Sequence, residues 1–159
     1  MITVRPMRRE DCADLTALLN HTIALGGTTA YEQPFTETGF AEEFIGGDNV
    51  CSLVAEADGQ LAGFQVLIAF DRNDLTRLAI ATFADQRQVT PGVGRALMAE
   101  TKNAAKALGC NTIDAKIRAD NTPGLGYYGK MGFKEVDRMI AVPLSDGTPV
   151  DRVIRRFEF

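Results

Sequence analysis

The chain has 159 residues, 45% of them hydrophobic and 24% charged, with a formal charge of −4. That is enough chain to bury roughly two thirds of its unfolded surface, and a composition that excludes disordered, collagen-like and coiled-coil habits. The acidic balance argues against nucleic acid and anionic membrane as partners.

No apolar run approaches the roughly 20 residues of a membrane span, and the N-terminus lacks a hydrophobic signal core. Three cysteines (Cys12, Cys51, Cys110) have no paired spacing, and the lone His21 cannot complete a His/Cys set, so no metal site is expected. An odd cysteine count without a disulfide framework points to a reducing, cytoplasmic setting. The pairs Arg8–Arg9 and Arg155–Arg156 read as solvated edges.

In chain order, residues 2–7 alternate as a strand. Arg9-Glu10-Asp11 then opens an amphipathic helix carrying Leu15, Leu18, Leu19 and Ile23, which Gly26-Gly27 stops. Residues 28–36 hold a Pro and no period, and read as a loop; a second helix covers 37–45. Strands at 50–57 and 61–70 flank Asp58-Gly59, a hairpin signal. A strand at 75–84 leads through a glycine-containing loop into a long helix over 93–108. Then follow a strand at 112–117, a short helix at 122–131, and strands at 133–142 and 150–158. The order β-α-α-β-β-β-α-β-α-β-β, with no linker, predicts one α/β or α+β three-layer domain over 1–159.

The run from Gln88 to Arg95 (QVTPGVGR) joins a strand to a helix. A helix start leaves about four N–H groups unpaired and carries partial positive charge, so it can hold a phosphate. Gly92 and Gly94 remove the Cβ atoms that would keep a ligand away, although Gly92 is equally a plain helix-entry turn. A dinucleotide fingerprint is disfavoured because Leu97 stands where its third glycine would be, and no Gly-Lys-Ser/Thr follows to make a P-loop.

Further on, Asn121 is followed by Tyr128, Lys130, Gly132 and Phe133. This segment resembles the C-terminal signature of the GNAT superfamily of N-acetyltransferases, and the earlier loop resembles the superfamily's acetyl-CoA loop. The resemblance covers nearly the whole chain. It departs at Val89, where the superfamily usually has Gln or Arg, and Pro91 removes one backbone donor. The N-terminal half, with Asn20-His21 and the 28–36 loop, is similar to phosphinothricin and amino-acid N-acetyltransferases.

The resemblance implies a central mixed, mostly antiparallel sheet of about seven strands flanked by about four helices. It implies acetyl-CoA as co-substrate, no metal, and a small-molecule amine as acceptor; the oligomer, a homodimer included, stays open. The main chain of Thr82, Phe83 and Ala84 is expected to hold the pantetheine arm, their side chains serving only as strand interior. The amides of Thr90, Gly92, Val93, Gly94 and Arg95 are expected to bind the pyrophosphate, with Arg95 alternatively a solvated first-turn residue. Asn121 is expected to bond the pantetheine, to cap the following helix, or both. Tyr128 fits a general acid, protonated at neutral pH, with a half-buried aromatic as the plainer alternative; Tyr127 reads as packing. For the base, Glu32 in the 28–36 loop is the first candidate and Asp85 the second, against surface carboxylates and a water chain. His21 reads as capping or packing. Two further readings stay open: an acyl-CoA-binding module without turnover, and a protein N-terminal or lysine acetyltransferase.

Overall fold

The computed structural model describes residues 1–159. Strands β1 (Ile2–Pro6), β2 (Asn49–Ala57), β3 (Gln60–Asp71), β4 (Asp74–Ala84), β5 (Thr112–Arg118), β6 (Lys134–Pro143) and β7 (Pro149–Glu158) form one sheet in the order β1-β2-β3-β4-β5-β7-β6. Every neighbouring pair is antiparallel except β4 and β5. Helices α1 (Cys12–Leu25) and α2 (Glu37–Phe44) cover one face; α3 (Val93–Ala107) and α4 (Thr122–Lys130) cover the other. The three layers, seven strands and four helices are those the sequence predicts. No helix is long and apolar enough to cross a membrane.

The unbroken apolar run of β3 has a physical reason. Its even-numbered residues Phe64 and Val66 pack against α1 and α2, and its odd-numbered Leu67 and Ala69 pack under α3 and α4. A strand covered on both faces loses the usual polar alternation. On one side Leu15, Leu18 and Leu19 meet Phe40, Phe44 and Phe64, all fully buried. Each such side chain contributes roughly 1.5–3 kcal/mol by leaving water.

Beyond β4 the coverage is one-sided. No helix lies over β5, β7 and β6 on the α1/α2 face, and β6 is exposed along nearly its whole length. The 28–36 loop reaches this half through Arg118, Asn121 and Ser145.

Three local features differ from the sequence reading. A 3-10 turn at Arg9–Asp11 precedes α1, because the buried Asp11 accepts from the Arg8 amide and from both Arg5 terminal nitrogens. Phe133 closes α4 rather than opening β6: its amide donates to the Tyr128 carbonyl across Gly132, whose φ of 93° suits the left-handed helix end. The Arg155–Arg156 pair is not a solvated edge. Arg155 donates to the Leu125 carbonyl, and Arg156 forks onto Asp114.

Candidate active site

The parallel ladder between β4 and β5 runs from Arg77 and Thr112 to Ile80 and Ala115, then stops, although β4 continues to Ala84 and β5 to Arg118. The strands therefore part. Thr82, Phe83 and Ala84 stay registered with Gln65, Phe64 and Gly63 of β3 but have no β5 partner. Main-chain groups in that position need an external partner. A cavity of about 750 Å³ opens through the gap. Gly94, Asn121, Tyr127 and Tyr128 line it on the α3/α4 side, and Thr28, Tyr31, Lys116 and Arg152 on the other.

At the start of α3, Gly92 has φ 91°, a left-handed conformation that favours glycine. Its carbonyl accepts from Ala96, and the Val93 amide makes a long 3.4 Å bond to the Thr90 carbonyl. The amides of Gly92, Gly94 and Arg95 donate to no protein group. Those three, beside the positive end of a 15-residue helix, fit a pyrophosphate. The Val93 side chain is buried against Ala55, Ala62 and Leu97, and Arg95 stands exposed without an ion pair. Gly94 has a second reason to be glycine. A Cβ there would lie 2.6 Å from Tyr127 Cε1, and the Tyr127 hydroxyl donates to the Gly94 carbonyl at 2.7 Å.

Tyr128 is 7% exposed, and its hydroxyl lies 2.8 Å from Thr82 Oγ1. Gln65 Nε2, fully buried on β3, donates both to Thr82 Oγ1 at 2.8 Å and to the Tyr127 hydroxyl at 3.1 Å. Tyr127 spends its only proton on Gly94, so only the amide nitrogen of Gln65 can face it. Thr82, already accepting from Gln65, can pass its own proton to Tyr128, which leaves the Tyr128 proton free for the cavity. Burial pushes both phenols up, Tyr127 to about 12, and the hydrogen bonds they receive only partly offset this. Both stay protonated at neutral pH. The Thr82 side chain is thus more than strand interior, and Tyr127 is more than packing. Gln65 escaped the sequence reading although a signal was present: it is the one amide inside an apolar strand, and a buried amide needs partners.

The 28–36 loop is tied down from several sides. Asn121 caps α4 by accepting from the Gly124 amide and donates to the Thr28 carbonyl, both at 3.0 Å. Arg118, held by Asp120, donates to the Thr29 carbonyl. Asn20 makes a two-way pair with the Phe35 main chain. Glu32 does not line the cavity; its carboxylate accepts from the amide and hydroxyl of Ser145, in the β6–β7 turn. Asp85 also lies outside, gripped by Arg87, whose hydrogen bonds hold its carboxyl below the usual range. His21 does not line the cavity either, and its Nδ1 is buried without a partner. The only carboxylate in the cavity wall is Asp114, already forked by Arg77 and Arg156.

The family model described as "Acetyltransferase (GNAT) family" matches residues 17–133. The chain belongs to the GNAT acetyltransferase family. GNAT enzymes use acetyl-CoA as co-substrate. Among curated relatives, this GNAT chain is 31% identical over 84 residues to the mycothiol acetyltransferase of Clavibacter michiganensis subsp. michiganensis, matching 52% of its own length and 26% of that protein's. It thus spans about a quarter of that relative. It is 26% identical over 133 residues to a protein of Bacillus subtilis strain 168 named as a candidate [ribosomal protein bS18]-alanine N-acetyltransferase, covering 82% of this chain and 80% of that one. Among solved structures, a candidate phosphinothricin N-acetyltransferase superposes with TM-score 0.86 and 26% identity, covering 99% and 98% of the two chains. The phosphinothricin acetyltransferase of Sinorhizobium meliloti, in complex with acetyl-CoA, superposes with TM-score 0.88 and 21% identity, over 99% and 88%.

Proposed function

We propose that this GNAT transfers an acetyl group from acetyl-CoA to the primary amine of a small molecule, by direct attack in a ternary complex. The observation that carries the reading is the gap beyond Ile80 and Ala115, where a single cavity runs from the bare amides of α3, past Tyr128, to the 28–36 loop. A thioester held there meets unladdered main chain from Thr82 to Ala84, which can accept and donate along a pantetheine arm and polarise its carbonyl. The amine enters from the loop side, so donor and acceptor meet inside the sheet.

Placement supports the following residue roles. The Thr90, Gly92, Gly94 and Arg95 amides, none of which donates to a protein group, hold pyrophosphate, with Val93 shaping the loop. Tyr128, fed through Gln65 and Thr82, donates its proton to the sulfur as the carbon–sulfur bond breaks. Asn121 is already committed to Gly124 and Thr28, and acts by joining α4 to the acceptor loop. Deprotonation of the amine goes to water, since the cavity wall offers no unpaired carboxylate; Glu32 braces the loop from outside.

The likeness to the Bacillus subtilis protein motivates a protein N-terminus as the alternative acceptor. The ties at Thr28 and Thr29 close the loop over the cavity and favour the small molecule. Incubating the chain with acetyl-CoA and two sets of acceptors, free amines and N-terminal peptides, separates these by thiol release and product mass. Thiol release with small amines and none with peptides is expected. Coenzyme binding with no release from either set would overturn transfer altogether.

A further inference from the structure

The charge inside the cavity is opposite to that of the protein. The chain as a whole carries −4, yet the wall contains four cations (Arg77, Lys116, Arg118 and Arg152) against the single carboxylate of Asp114. Asp114 is more than neutralised by Arg77 and by Arg156 behind it, and Arg118 is spent on Asp120 and the Thr29 carbonyl. Lys116 and Arg152 have no such partner: neither donates to any protein acceptor.

The sheet register places these two together. Lys116 faces Ile154 and Arg118 faces Arg152, so Lys116 and Arg152 are diagonal neighbours on one face of β5 and β7, with backbones roughly 7–8 Å apart. That face carries no helix, and it is the face opposite α3, whose amides await the donor's phosphates. Lys116 is also the first β5 residue past the end of the ladder at Ala115. Its side chain therefore roots at the lip of the gap where the amine must stand.

We propose that Lys116 and Arg152 bind an anionic group carried by the acceptor, so that the substrate has its amine and a carboxylate or phosphonate on one short skeleton. This rests on the transferase reading above. Two unpaired cations at a cavity wall suit one anion through charge-assisted hydrogen bonds, the arginine as a fork and the lysine as a point charge. The skeleton must be short because Lys116 adjoins the gap and one strand residue advances only about 3.3 Å. The same cations disfavour a neighbouring ammonium. They thereby ease loss of the amine's proton to water, in a wall that holds no free carboxylate to take it.

The test uses the full chain, acetyl-CoA and matched acceptors that differ only in the anion: the proteinogenic L-amino acids against their carboxamides, and 2-aminoethylphosphonate against 2-aminoethanol. Thiol release gives kcat/KM for each. At least one anionic member should exceed its neutral match on the order of ten- to a hundredfold, the worth of a hydrogen bond to a charged group. The carboxylate and phosphonate arms tell the two anions apart. Lys116→Gln and Arg152→Gln should each shrink that ratio, and Lys116→Glu should turn it below one. The KM for acetyl-CoA should stay the same in all three. Neutral amines used as well as anionic ones, with transfer intact, would overturn this proposal alone. A raised acetyl-CoA KM in the variants would also overturn it, by assigning the cations to the donor. Absence of transfer to every acceptor, peptides included, would overturn it together with the transferase reading.

Discussion

Tyr128 Oη and Thr82 Oγ1 lie 2.8 Å apart, joining α4 to the stretch of β4 that has lost its β5 partner. The bond places a buried phenol, whose proton stays free when Thr82 is the donor, beside the gap, and it makes the Gln65–Thr82–Tyr128 chain a single unit. Tyr128→Phe removes that proton and little volume. We expect turnover to fall by roughly ten- to ten-thousand-fold with acetyl-CoA affinity retained. Burial raises the phenol, so its acid form persists throughout neutral and mildly alkaline solution, and no alkaline loss of kcat below about pH 10 should trace to it. Unchanged kcat in the variant would remove Tyr128 from the chemistry.

Gly94 sits where a Cβ would enter the Tyr127 ring. Gly94→Ala should cost about 1–3 kcal/mol of stability by overpacking. Tyr127→Ala in the same chain should recover most of that, giving a clear coupling in a double-mutant cycle read by urea unfolding. Additive losses would show that the contact is not what demands glycine.

Asn121→Asp keeps the oxygen that accepts from the Gly124 amide but loses the donor to the Thr28 carbonyl. The helix cap should survive and the loop should loosen. Hydrogen exchange should quicken at residues 28–31 with little change in α4, whereas Asn121→Ala should quicken both and cost about 1 kcal/mol. Equal exchange in the loop for Asp and Asn would sink the tie.

Asp114 is buried between β4 and β7 arginines. Burial on its own would raise its carboxyl; the hydrogen bonds from Arg156 and Arg77 outweigh that and hold it below the ordinary value. A depressed carboxyl contributes stability that is fully present above its unfolded value of about 4 and lost as pH falls below it. Asp114→Asn should therefore destabilise by on the order of 2 kcal/mol at pH 7 and flatten the acid limb below pH 4 in unfolding titrations. A variant with the same acid limb as wild type would show that other carboxylates set it.

Glu32→Gln should leave the pH–rate profile as it is, because its carboxylate bonds Ser145 outside the cavity. Looser exchange of the β6–β7 turn is the expected change. A displaced acid limb of kcat/KM would restore Glu32 as a base.

The sequence by itself determined the layers and pointed to the stretch proposed to hold the donor. Apolar periodicity placed all four helices and seven strands to within a few residues, because amphipathic helices and doubly covered strands leave local patterns. The glycines before α3 and the spacing from Asn121 to Phe133 marked where the coenzyme is proposed to bind, since a helix start is a local object. What lay beyond reach depended on which strand neighbours which. Glu32 and Asp85 looked like bases from their neighbours in the chain, and only the folded hairpin at Ser145 and the grip of Arg87 put them elsewhere. Lys116 and Arg152, 36 positions apart in sequence, became one cationic pair through the β5–β7 register. Gln65 and Thr82 likewise met Tyr128 only through sheet pairing and the packing of α4. Charges and buried hydrogen bonds act through space, over distances that chain spacing does not encode, so the acceptor side was decided by the tertiary structure.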